Sequence, residues 1–298
     1  MARLLDSLQR VEACMTRVTS TPDNRKTLVV RAVAYHLRAG GSRIRAQICL
    51  HASQQLDIHD DTAVLIATAC ELIHNASLVQ DDVFDEEAVR RGVESVWKLF
   101  GDTIAICSGD LMLSGAFAIL AELPSANLVS SAIQLVFRHT QSVIVGQGIE
   151  KEAVPETLAD YEVLAINKSA SLLTLPLHLP LLVSGHHSFM ALAQRTVEAF
   201  AVAYQIADDL ADYPQDQRAG ALNVLSVLCR GYAMTLDQAR AAAAERSGEL
   251  LRQCIVDAAG LPKNCAAILV SHASTMLTEM EAGPENKLAR ARSMSYVG

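Results

Sequence analysis

Residues 62–85 read TAVLIATACELIHNASLVQDDVFD, and this stretch decides the fold class. Its apolar residues lack the period-two alternation of a strand, so the pattern predicts one long buried helix that ends in aspartates. No segment of the chain alternates for long enough to predict a strand. We therefore predict an all-α protein with a single domain over residues 1–298, whose tail after Pro284 frays. Further helical patterns cover residues 3–18, 25–38, 42–56, 103–121, 127–148, 157–184, 189–213, 235–257 and 264–281.

The composition excludes several classes of protein. The chain has 298 residues, is 51% hydrophobic and 19% charged, and carries a formal net charge of −8 without any basic tract, which disfavours nucleic-acid binding. The seven cysteines include no CxxC pair, which argues against a zinc site or a disulfide framework. The longest apolar run, residues 171–185, is interrupted by two prolines and a histidine and is too short to cross a bilayer. We expect a cytoplasmic protein without a membrane span or a nucleic-acid partner.

A template of three clustered aspartates occurs twice, at Asp81, Asp82 and Asp85 and at Asp208, Asp209 and Asp212. On a helix, positions i and i+4 share a face and i+1 lies beside them, so each cluster should present three carboxylates to one patch. One such cluster alone is equally typical of a solvated helix end. Carboxylate oxygens suit Mg²⁺, which keeps some waters and bridges to phosphates. Two facing clusters could therefore clamp one diphosphate through several Mg²⁺ ions and stabilise it as a leaving group.

Other side chains fit an anion-binding site near these clusters. Arg90 and Arg91 follow the first cluster, and guanidinium groups bind phosphate oxygens in a bidentate manner, although an arginine pair is also common on solvated surfaces. Lys168 lies in an apolar helical pattern, where a lysine without a partner is rare. Gln205 lies one turn before the second cluster. His74, on the helix of the first cluster, fits a satisfied core histidine and a site residue equally well.

Four segments, in the correct order, resemble the trans-isoprenyl diphosphate synthases, or polyprenyl synthetases. Residues 71–113 (ELIHNASLVQDDVFDEEAVRRGVESVWKLFGDTIAICSGDLML) resemble the first aspartate-rich region of that family, and residues 203–213 (AYQIADDLADY) resemble the second. Residues 34–47 (AYHLRAGGSRIRAQ) look like its glycine-glycine-lysine-arginine segment, and residues 166–173 (INKSASLL) look like its lysine-threonine segment. The resemblance covers about residues 29–213, and the rest of the chain matches only loosely.

The resemblance implies a helical fold around a deep central cavity, usually in a homodimer. It also implies Mg²⁺-dependent ionisation of an allylic diphosphate, with about three Mg²⁺ ions on the bound diphosphate, followed by attack of isopentenyl diphosphate. The metal ligands carried over are Asp81, Asp82, Asp85, Asp208, Asp209 and Asp212. The catalytic residues carried over are Asp81, Asp82, Lys168 and Asp208. The substrate-binding residues are Arg90, Lys168, Ser169 and Gln205 for the allylic diphosphate, and Arg45, His74 and Arg91 for isopentenyl diphosphate.

Two departures from the family pattern leave the acceptor open. Ser42 and Ala221 stand where the family has lysines, and losing both contacts would weaken diphosphate binding by about 3–6 kcal/mol. One alternative is therefore a terpene cyclase or prenyltransferase of the same fold that does not use isopentenyl diphosphate; another is a non-catalytic partner subunit of a second synthase. The intact aspartates favour a chain-elongating synthase. In the family that the chain resembles, aromatic residues four and five positions before the first cluster close the cavity. Ala76 and Ser77 are small, so the resemblance implies a product longer than about fifteen carbons.

Overall fold

The computed structural model describes residues 2–20, 23–24, 26–152 and 154–281, apart from the side chains of residues 2, 149–152, 168 and 219. The tail after Pro284, which we predicted to fray, lies outside the described residues. The fold is all-α, as predicted. Its helices are α1 (Ala2–Thr19), α2 (Leu28–Arg38), α3 (Ile44–Gln55), α4 (Asp60–Phe84), α5 (Val96–Phe100), α6 (Asp102–Leu120), α7 (Ala126–Glu152), α8 (Leu158–Ala165), α9 (Ser171–Val183), α10 (Met190–Ala219), α11 (Val224–Gly231), α12 (Leu236–Ala259) and α13 (Ala267–Glu281).

The helix predicted over residues 157–184 is divided. The α8 helix ends at Ala165, a single π-helical turn covers Ile166–Ala170, and α9 continues from Ser171. A π-helical turn accommodates an extra residue within a helix and is frequent at functional sites. This turn holds the polar segment Asn167-Lys168-Ser169, which the sequence analysis had placed in an uninterrupted helix.

The α10 helix runs past Pro214 to Ala219, whereas we predicted its end at residue 213. A proline inside a helix lacks the N–H that would bond to the carbonyl four residues earlier. The carbonyl released here belongs to Leu210, and Nη1 of Arg240 lies 3.4 Å from it. A side chain from α12 therefore replaces the missing backbone donor, which a local pattern could not predict.

A two-stranded hairpin that the sequence analysis did not predict follows α4. Its strands are β1 (Val89–Arg90) and β2 (Val93–Glu94), which pair antiparallel. The turn residues Arg91 and Gly92 have φ of 53° and 77°, the positive values of a type I′ turn. Strands of two residues are too short to produce an alternating pattern. The hairpin nevertheless determines where the two adjacent arginines lie.

Packing divides the chain into two compact units. The first comprises the described residues up to Val136 together with Leu179–Gly185; the second comprises Phe137–His178 and the described residues from His186. In the first unit α4 packs against α1, α3 and α6 and is buried along most of its length. Gly115 of α6 lies so close to α1 that an added Cβ would meet Cγ1 of Val18 at 3.2 Å.

In the second unit α10 packs against α8, α11 and α12. The first turns of α8 and α12 are closed by capping boxes, in which Thr157 pairs with Asp160 and Thr235 with Gln238. These caps satisfy the N–H groups at the helix starts, so both helices begin where the caps lie. The apolar core between these helices consists of Tyr161, Ala165, Val202, Ile206, Val224, Leu225, Val227, Leu228, Ala239 and Ala243.

Two helices, α4 and α6, are long and apolar enough to cross a membrane by length and composition alone. In their most apolar windows, 89% of the α4 residues and 44% of the α6 residues are buried inside the protein. A helix that is hydrophobic on all sides is also what the core of a large helical protein requires. These helices are therefore weak evidence for a membrane span, and the expected absence of a span stays a prediction.

Candidate active site

The first aspartate cluster ends α4, and its three carboxylates lie in different environments. Asp82 is fully buried, Asp81 is half-buried, and Asp85 is the exposed C-cap of the helix. The backbone N–H of Asp85 donates to the carbonyl of Asp81, which closes the last turn. The three side chains therefore lie at the same end of α4 but differ in burial, because the helix ends at Phe84 and Asp85 lies beyond it.

Arg90, on strand β1, contacts Asp82. Its Nε and Nη2 lie 2.8 and 2.6 Å from Oδ1 of Asp82, so one carboxylate oxygen accepts both contacts. The other oxygen, Oδ2, is buried and has no hydrogen-bond partner among the described residues. Burial raises the pKa of Asp82, and the Arg90 guanidinium opposes that shift. The pair thus leaves one inward carboxylate oxygen that could bind a cation.

Arg91 contacts the loop between α2 and α3 and a residue of α4. Its Nη1 donates to the carbonyl of Gly40 and lies 3.5 Å from Oδ1 of Asn75. Burial lowers the pKa of this guanidinium, and the nearby Arg43 lowers it further. A Cβ at Gly41 would lie 2.7 Å from Cζ of Arg91, so the guanidinium fits only where position 41 has no side chain. Gly41 therefore makes room for a predicted substrate-binding cation.

His74 contacts another predicted substrate-binding cation, Arg45, through a hydrogen bond of 2.8 Å between Nη1 of the arginine and Nε2 of the histidine. Because a guanidinium only donates, Nε2 must accept, and the imidazole is neutral. Burial and the charge of Arg45 lower the pKa of His74 well below its usual value. His74 is thus a buried residue with a hydrogen-bond partner, as the core interpretation requires, and its role toward substrate stays a prediction.

The positions without lysine lie in separate units. The carbonyl of Ser42 accepts a hydrogen bond of 2.6 Å from Nε2 of Gln47. Arg43, beside it, donates to the carbonyls of Gly40 and Leu37 and lies 3.3 Å from the carboxylate of Glu12. These contacts hold Arg43 in the loop, so it does not stand in for a lysine at position 42.

In the second unit, Ala221 follows Gly220, which ends α10 with a φ of 67°. Ala221 is exposed, and its N–H donates to the carbonyl of Asp216 at 2.9 Å. Position 221 thus has a methyl group where the family has a cation. Neither Arg43 nor Ala221 therefore replaces the charge of the family's lysine at its position.

Asp209, in the second cluster, is almost fully buried and satisfied by hydrogen bonds. Its Oδ1 accepts from Nε2 of Gln205 at 3.0 Å, and its Oδ2 accepts from the Tyr161 hydroxyl at 2.9 Å and the Val224 N–H at 2.6 Å. Burial raises the pKa of Asp209, while these three donors lower it. Asp209 thus ties α10 to α8 and α11, and Gln205 has a structural partner. Their predicted roles toward metal and substrate stay predictions.

Asp208 lies beside it, half-buried and surrounded by like charges. Burial and, after it, the negative charges of Asp212, Asp209 and Asp216 together raise the pKa of Asp208 to about 6. Excess negative charge in a partly buried place is the electrostatic condition that favours a bound cation. The second cluster therefore gives Asp208 the environment expected of a metal ligand.

Three residues near the second cluster were not predicted from the sequence. Nδ2 of Asn223 donates to the carbonyl of Asp209 and to Oδ2 of Asp216, both at 2.8 Å. Tyr161 reaches the cluster from α8, 48 residues away in the chain. Asp216 was detectable, because it lies one turn beyond Asp212 on the same helix face. The sequence around Asn223 and Tyr161 does not indicate their contacts, because only tertiary packing brings them to α10.

Lys168 and Ser169 lie in the π-helical turn between α8 and α9. The side chain of Lys168 lies outside the described part of the chain, so its predicted contacts stay predictions. The α7 helix passes close to this turn: a Cβ at Gly146 would lie 3.1 Å from the carbonyl oxygen of Asn167. Close packing thus fixes the backbone that carries the lysine.

The donor chemistry of both clusters fits Mg²⁺. Within the residues described, no group of three or more His, Cys, Asp or Glu side chains is placed to hold a metal ion by itself, so the shared patch of each cluster stays a prediction. Mg²⁺ needs few protein ligands, because it keeps several waters and is bound by one or two carboxylates plus substrate phosphates. The unpartnered Oδ2 of Asp82 and the crowded carboxylate of Asp208 could supply such ligands in their respective units.

Comparison with known proteins places this chemistry in a family. The chain is 28% identical over 236 residues to the short chain isoprenyl diphosphate synthase of Methanothermobacter thermautotrophicus, covering 78% of this chain and 72% of that protein. It is 30% identical over 223 residues to the farnesyl diphosphate synthase of Geobacillus stearothermophilus, covering 70% of this chain and 74% of that protein.

Solved structures agree on the fold. The geranylgeranyl pyrophosphate synthetase of the archaeon Geoglobus acetivorans matches with a TM-score of 0.81 at 22% identity, over 92% of this chain and 99% of that one. At that identity the likeness concerns the fold alone. The sequence profile of the family described as Polyprenyl synthetase matches residues 26–221, which is well over half of the chain. The chain therefore belongs to the polyprenyl synthetase family.

Proposed function

We propose that this chain is a polyprenyl diphosphate synthase, a prenyltransferase that ionises an allylic diphosphate and joins the allylic group head to tail to isopentenyl diphosphate. The observation that carries the proposal is the retention of both aspartate clusters in a member of this family. Mg²⁺, when bound, would supply Lewis-acid stabilisation of the diphosphate leaving group. The same proposal includes the finer expectations of a cytoplasmic location and about three Mg²⁺ ions per bound diphosphate.

Different residues of this chain would bind the metal, the allylic diphosphate and isopentenyl diphosphate. Asp81, Asp82 and Asp85, with Asp208, Asp209 and Asp212, would hold the metal, and Arg90 with Lys168 would bind the allylic diphosphate. The nucleophile would be the double bond of isopentenyl diphosphate, which attacks the allylic carbon as the carbon–oxygen bond to diphosphate breaks. Loss of a proton from the new chain then completes the product. Arg45 and Arg91 would orient the acceptor through its diphosphate.

A second candidate function is favoured by Ser42 and Ala221. With Arg43 held by Glu12 and by loop carbonyls, the acceptor site has lost the cations that the family has at two positions. A cyclase, or a prenyltransferase with a different acceptor, would keep the ionising aspartates and need neither lysine. A non-catalytic partner subunit would need no metal ligands at all, which the intact clusters disfavour.

One incubation separates these functions. Purified protein is mixed with Mg²⁺, labelled isopentenyl diphosphate, and dimethylallyl, geranyl or farnesyl diphosphate in turn. We expect longer labelled diphosphates. Hydrocarbons or alcohols formed without isopentenyl diphosphate would support the second candidate instead. Inactivity that a second synthase subunit relieves would indicate a partner subunit.

We expect Asp82→Ala to lower turnover by at least about 100-fold, because the variant loses a metal ligand whose second oxygen has no protein partner. The control is Asp61→Ala, which removes an exposed carboxylate from the other end of α4. Circular dichroism checks that both variants remain helical. Turnover at the wild-type rate in Asp82→Ala would contradict the metal assignment.

The product is expected to exceed about fifteen carbons, because the residues before the first cluster are small. Ala76 is buried, and Ser77 donates its hydroxyl to the carbonyl of His74 at 2.9 Å. Ser77→Phe should shorten the product by at least one five-carbon unit, as measured by chromatography of the dephosphorylated alcohols. An unchanged product length in that variant would show that residues deeper than Ser77 limit the growth of the prenyl chain.

A homodimer is also part of the proposal. Phe137, Ile144 and Val145 lie on one side of α7 and are more than half exposed, at 56, 56 and 54%. Exposed apolar stripes of this kind commonly become covered by a partner. Light scattering after size-exclusion chromatography should give twice the chain mass of 32.1 kDa. Ile144→Asp should shift the equilibrium toward the monomer, whereas Leu5→Asp, which changes an exposed leucine of α1, should not.

A further inference from the structure

Glu71 is a buried carboxylate that belongs to neither aspartate cluster. It lies in α4, is 2% exposed, and stands ten residues before the first cluster. Its Oε1 accepts a hydrogen bond of 2.9 Å from the backbone N–H of Ala46, in the first turn of α3. The N–H groups of a first helical turn have no partner within their own helix. Glu71 therefore caps α3 from a neighbouring helix.

No residue of the α2–α3 loop supplies this cap. The N-cap of α3 is Arg43, which has a φ of 53° and makes no side-chain cap hydrogen bond. Arg45 lies in the first turn of α3, immediately before Ala46, whose N–H donates to Glu71. This hydrogen bond joins residues 25 positions apart and fixes the start of α3, including the backbone of Arg45.

Asn75 extends the contact to the hairpin turn. Its Nδ2 donates to the carbonyl of Glu71 at 2.7 Å and lies 3.5 Å from Oε2 of the same residue. Its Oδ1 accepts from Nε2 of His36 at 3.1 Å and lies 3.5 Å from Nη1 of Arg91. The carboxylate therefore belongs to one polar network with Arg91, which is one of the two cations proposed to bind the acceptor diphosphate.

The charges in this network are unequal. The positive groups are Arg43, Arg45 and Arg91, whereas burial lowers the pKa of both His36 and His74, so these imidazoles are neutral. The negative charges that act on Arg91 are Glu71 and then Asp82, and Asp82 is already paired with Arg90. Arg43 is paired with Glu12, and Glu71 is the carboxylate whose charge acts most strongly on the Arg91 guanidinium.

We propose that Glu71 is a positioning residue for the acceptor: it anchors the first turn of α3 so that Arg45 faces a diphosphate, and it balances the charge of Arg91. This inference rests on the proposed function, since the acceptor is taken to be isopentenyl diphosphate. Two substitutions separate the roles. Glu71→Asp keeps the charge but shortens the reach to Ala46. Glu71→Gln keeps the length and an accepting oxygen but removes the charge.

The test is calorimetric titration of isopentenyl diphosphate in EDTA, which keeps metal-dependent binding at the aspartate clusters out of the measurement. We expect Glu71→Asp to raise Kd about tenfold and Glu71→Gln to lower it about threefold, because losing a buried negative charge strengthens binding of an anion. Arg45→Met defines complete loss of the site. Thr68→Ala, which removes a buried hydroxyl bonded within α4 itself, should leave Kd unchanged.

The outcomes distinguish failure of this inference from failure of the proposed function. An unchanged Kd in Glu71→Asp, or equal weakening in both Glu71 variants, overturns the positioning role while the synthase function stands. If the wild-type protein shows no binding that depends on Arg45, the acceptor assignment and the role of Glu71 fall together. Mg²⁺-dependent release of diphosphate from an allylic substrate then still tests the ionising activity by itself.

Discussion

Asp208 and Asp209 are neighbours in the sequence, yet their surroundings give them different chemistry. Asp209 accepts three hydrogen bonds from Gln205, Tyr161 and Val224, which direct it toward the protein interior. The charges acting on Asp208 are other carboxylates, and its pKa is raised to about 6. At the scale of a residue, Asp209 stabilises the local structure, whereas Asp208 carries charge that a metal would neutralise.

We expect Asp208→Asn to raise the free energy of unfolding by about 1–2 kcal/mol near neutral pH without Mg²⁺, after the partial exposure of the side chain is discounted. An acid whose pKa in the folded state is raised above its unfolded value destabilises the fold once it ionises. The gain should therefore disappear as the pH falls from about 6 to about 4. Urea unfolding of both proteins across this range measures the difference.

The control for this prediction is Asp212→Asn, at an exposed position of the same cluster, which should change the free energy of unfolding by less than about 0.5 kcal/mol. With Mg²⁺ and substrates, Asp208→Asn should lower turnover by at least about 100-fold. Greater stability with lost activity is typical of a strained functional site. A variant that is less stable than the wild type near neutral pH would contradict the electrostatic account.

At the scale of elements, the β1–β2 hairpin and the loop between α2 and α3 depend on each other. The hairpin turn directs Arg91 to the carbonyl of Gly40, and Gly41 leaves the space that the guanidinium occupies. Tyr35, at the end of α2, donates its hydroxyl to the carbonyl of Glu94 at 2.8 Å and so ties the two elements together. A change in either element should therefore displace the arginine.

We expect Gly41→Ala to lower the free energy of unfolding by about 3 kcal/mol, because its φ of 125° suits only glycine and the new methyl would meet Arg91. The matched control is Gly40→Ala, where φ is 86° and nothing lies within 4 Å of an added Cβ, so the loss should be about 1 kcal/mol. Chemical denaturation measures both. Equal losses would show that backbone conformation alone, and not contact with Arg91, requires the glycine.

At the scale of the whole molecule, buried neutral histidines occur in both units. In the first unit, burial lowers the pKa of His36 to about 3. In the second unit, burial lowers the pKa of His139 to about 4, and its Nε2 lies 3.0 Å from Nδ1 of His178. Each such imidazole stays unprotonated in the folded protein at a pH where the unfolded chain takes up a proton.

We expect His139→Gln to flatten the acid dependence of stability. A base whose pKa is lowered in the folded state costs stability as the pH falls below its unfolded value, here from about 6.5 toward about 4. The wild type should therefore lose about 1–2 kcal/mol more than the variant between about pH 6.5 and 4.5. His59→Gln, at an exposed position, is the control. Parallel pH curves for wild type and His139→Gln would contradict this prediction.

The sequence predicted the fold class and most helix bounds because both depend on local spacing. The long helix of residues 62–83 appears as α4, and residues 103–121 appear as α6. The exceptions have physical reasons. Pro214 is tolerated because Arg240 from a distant helix lies near the released carbonyl, and a hairpin of two-residue strands is too short to show periodicity.

The sequence indicated which residues are candidates for the site, but it did not indicate which residues contact one another. The aspartate triplets, the arginine pair and His74 were found from spacing and resemblance. Glu71 left a signal that could have been used, since a carboxylate inside an apolar helix needs a partner. Tyr161 left none, because its role depends on where α8 packs.

The sequence by itself therefore determined that the chain is helical and which carboxylates and guanidinium groups it carries, since helix periodicity and motif spacing are properties of neighbouring residues. Only the tertiary structure decided that Arg90 pairs with Asp82, that Tyr161 holds Asp209 and that Glu71 caps α3. The Tyr161 and Glu71 contacts join residues 48 and 25 positions apart, and the Arg90 contact joins strand β1 to the end of α4. Their energies arise from packing and burial, which local spacing does not encode.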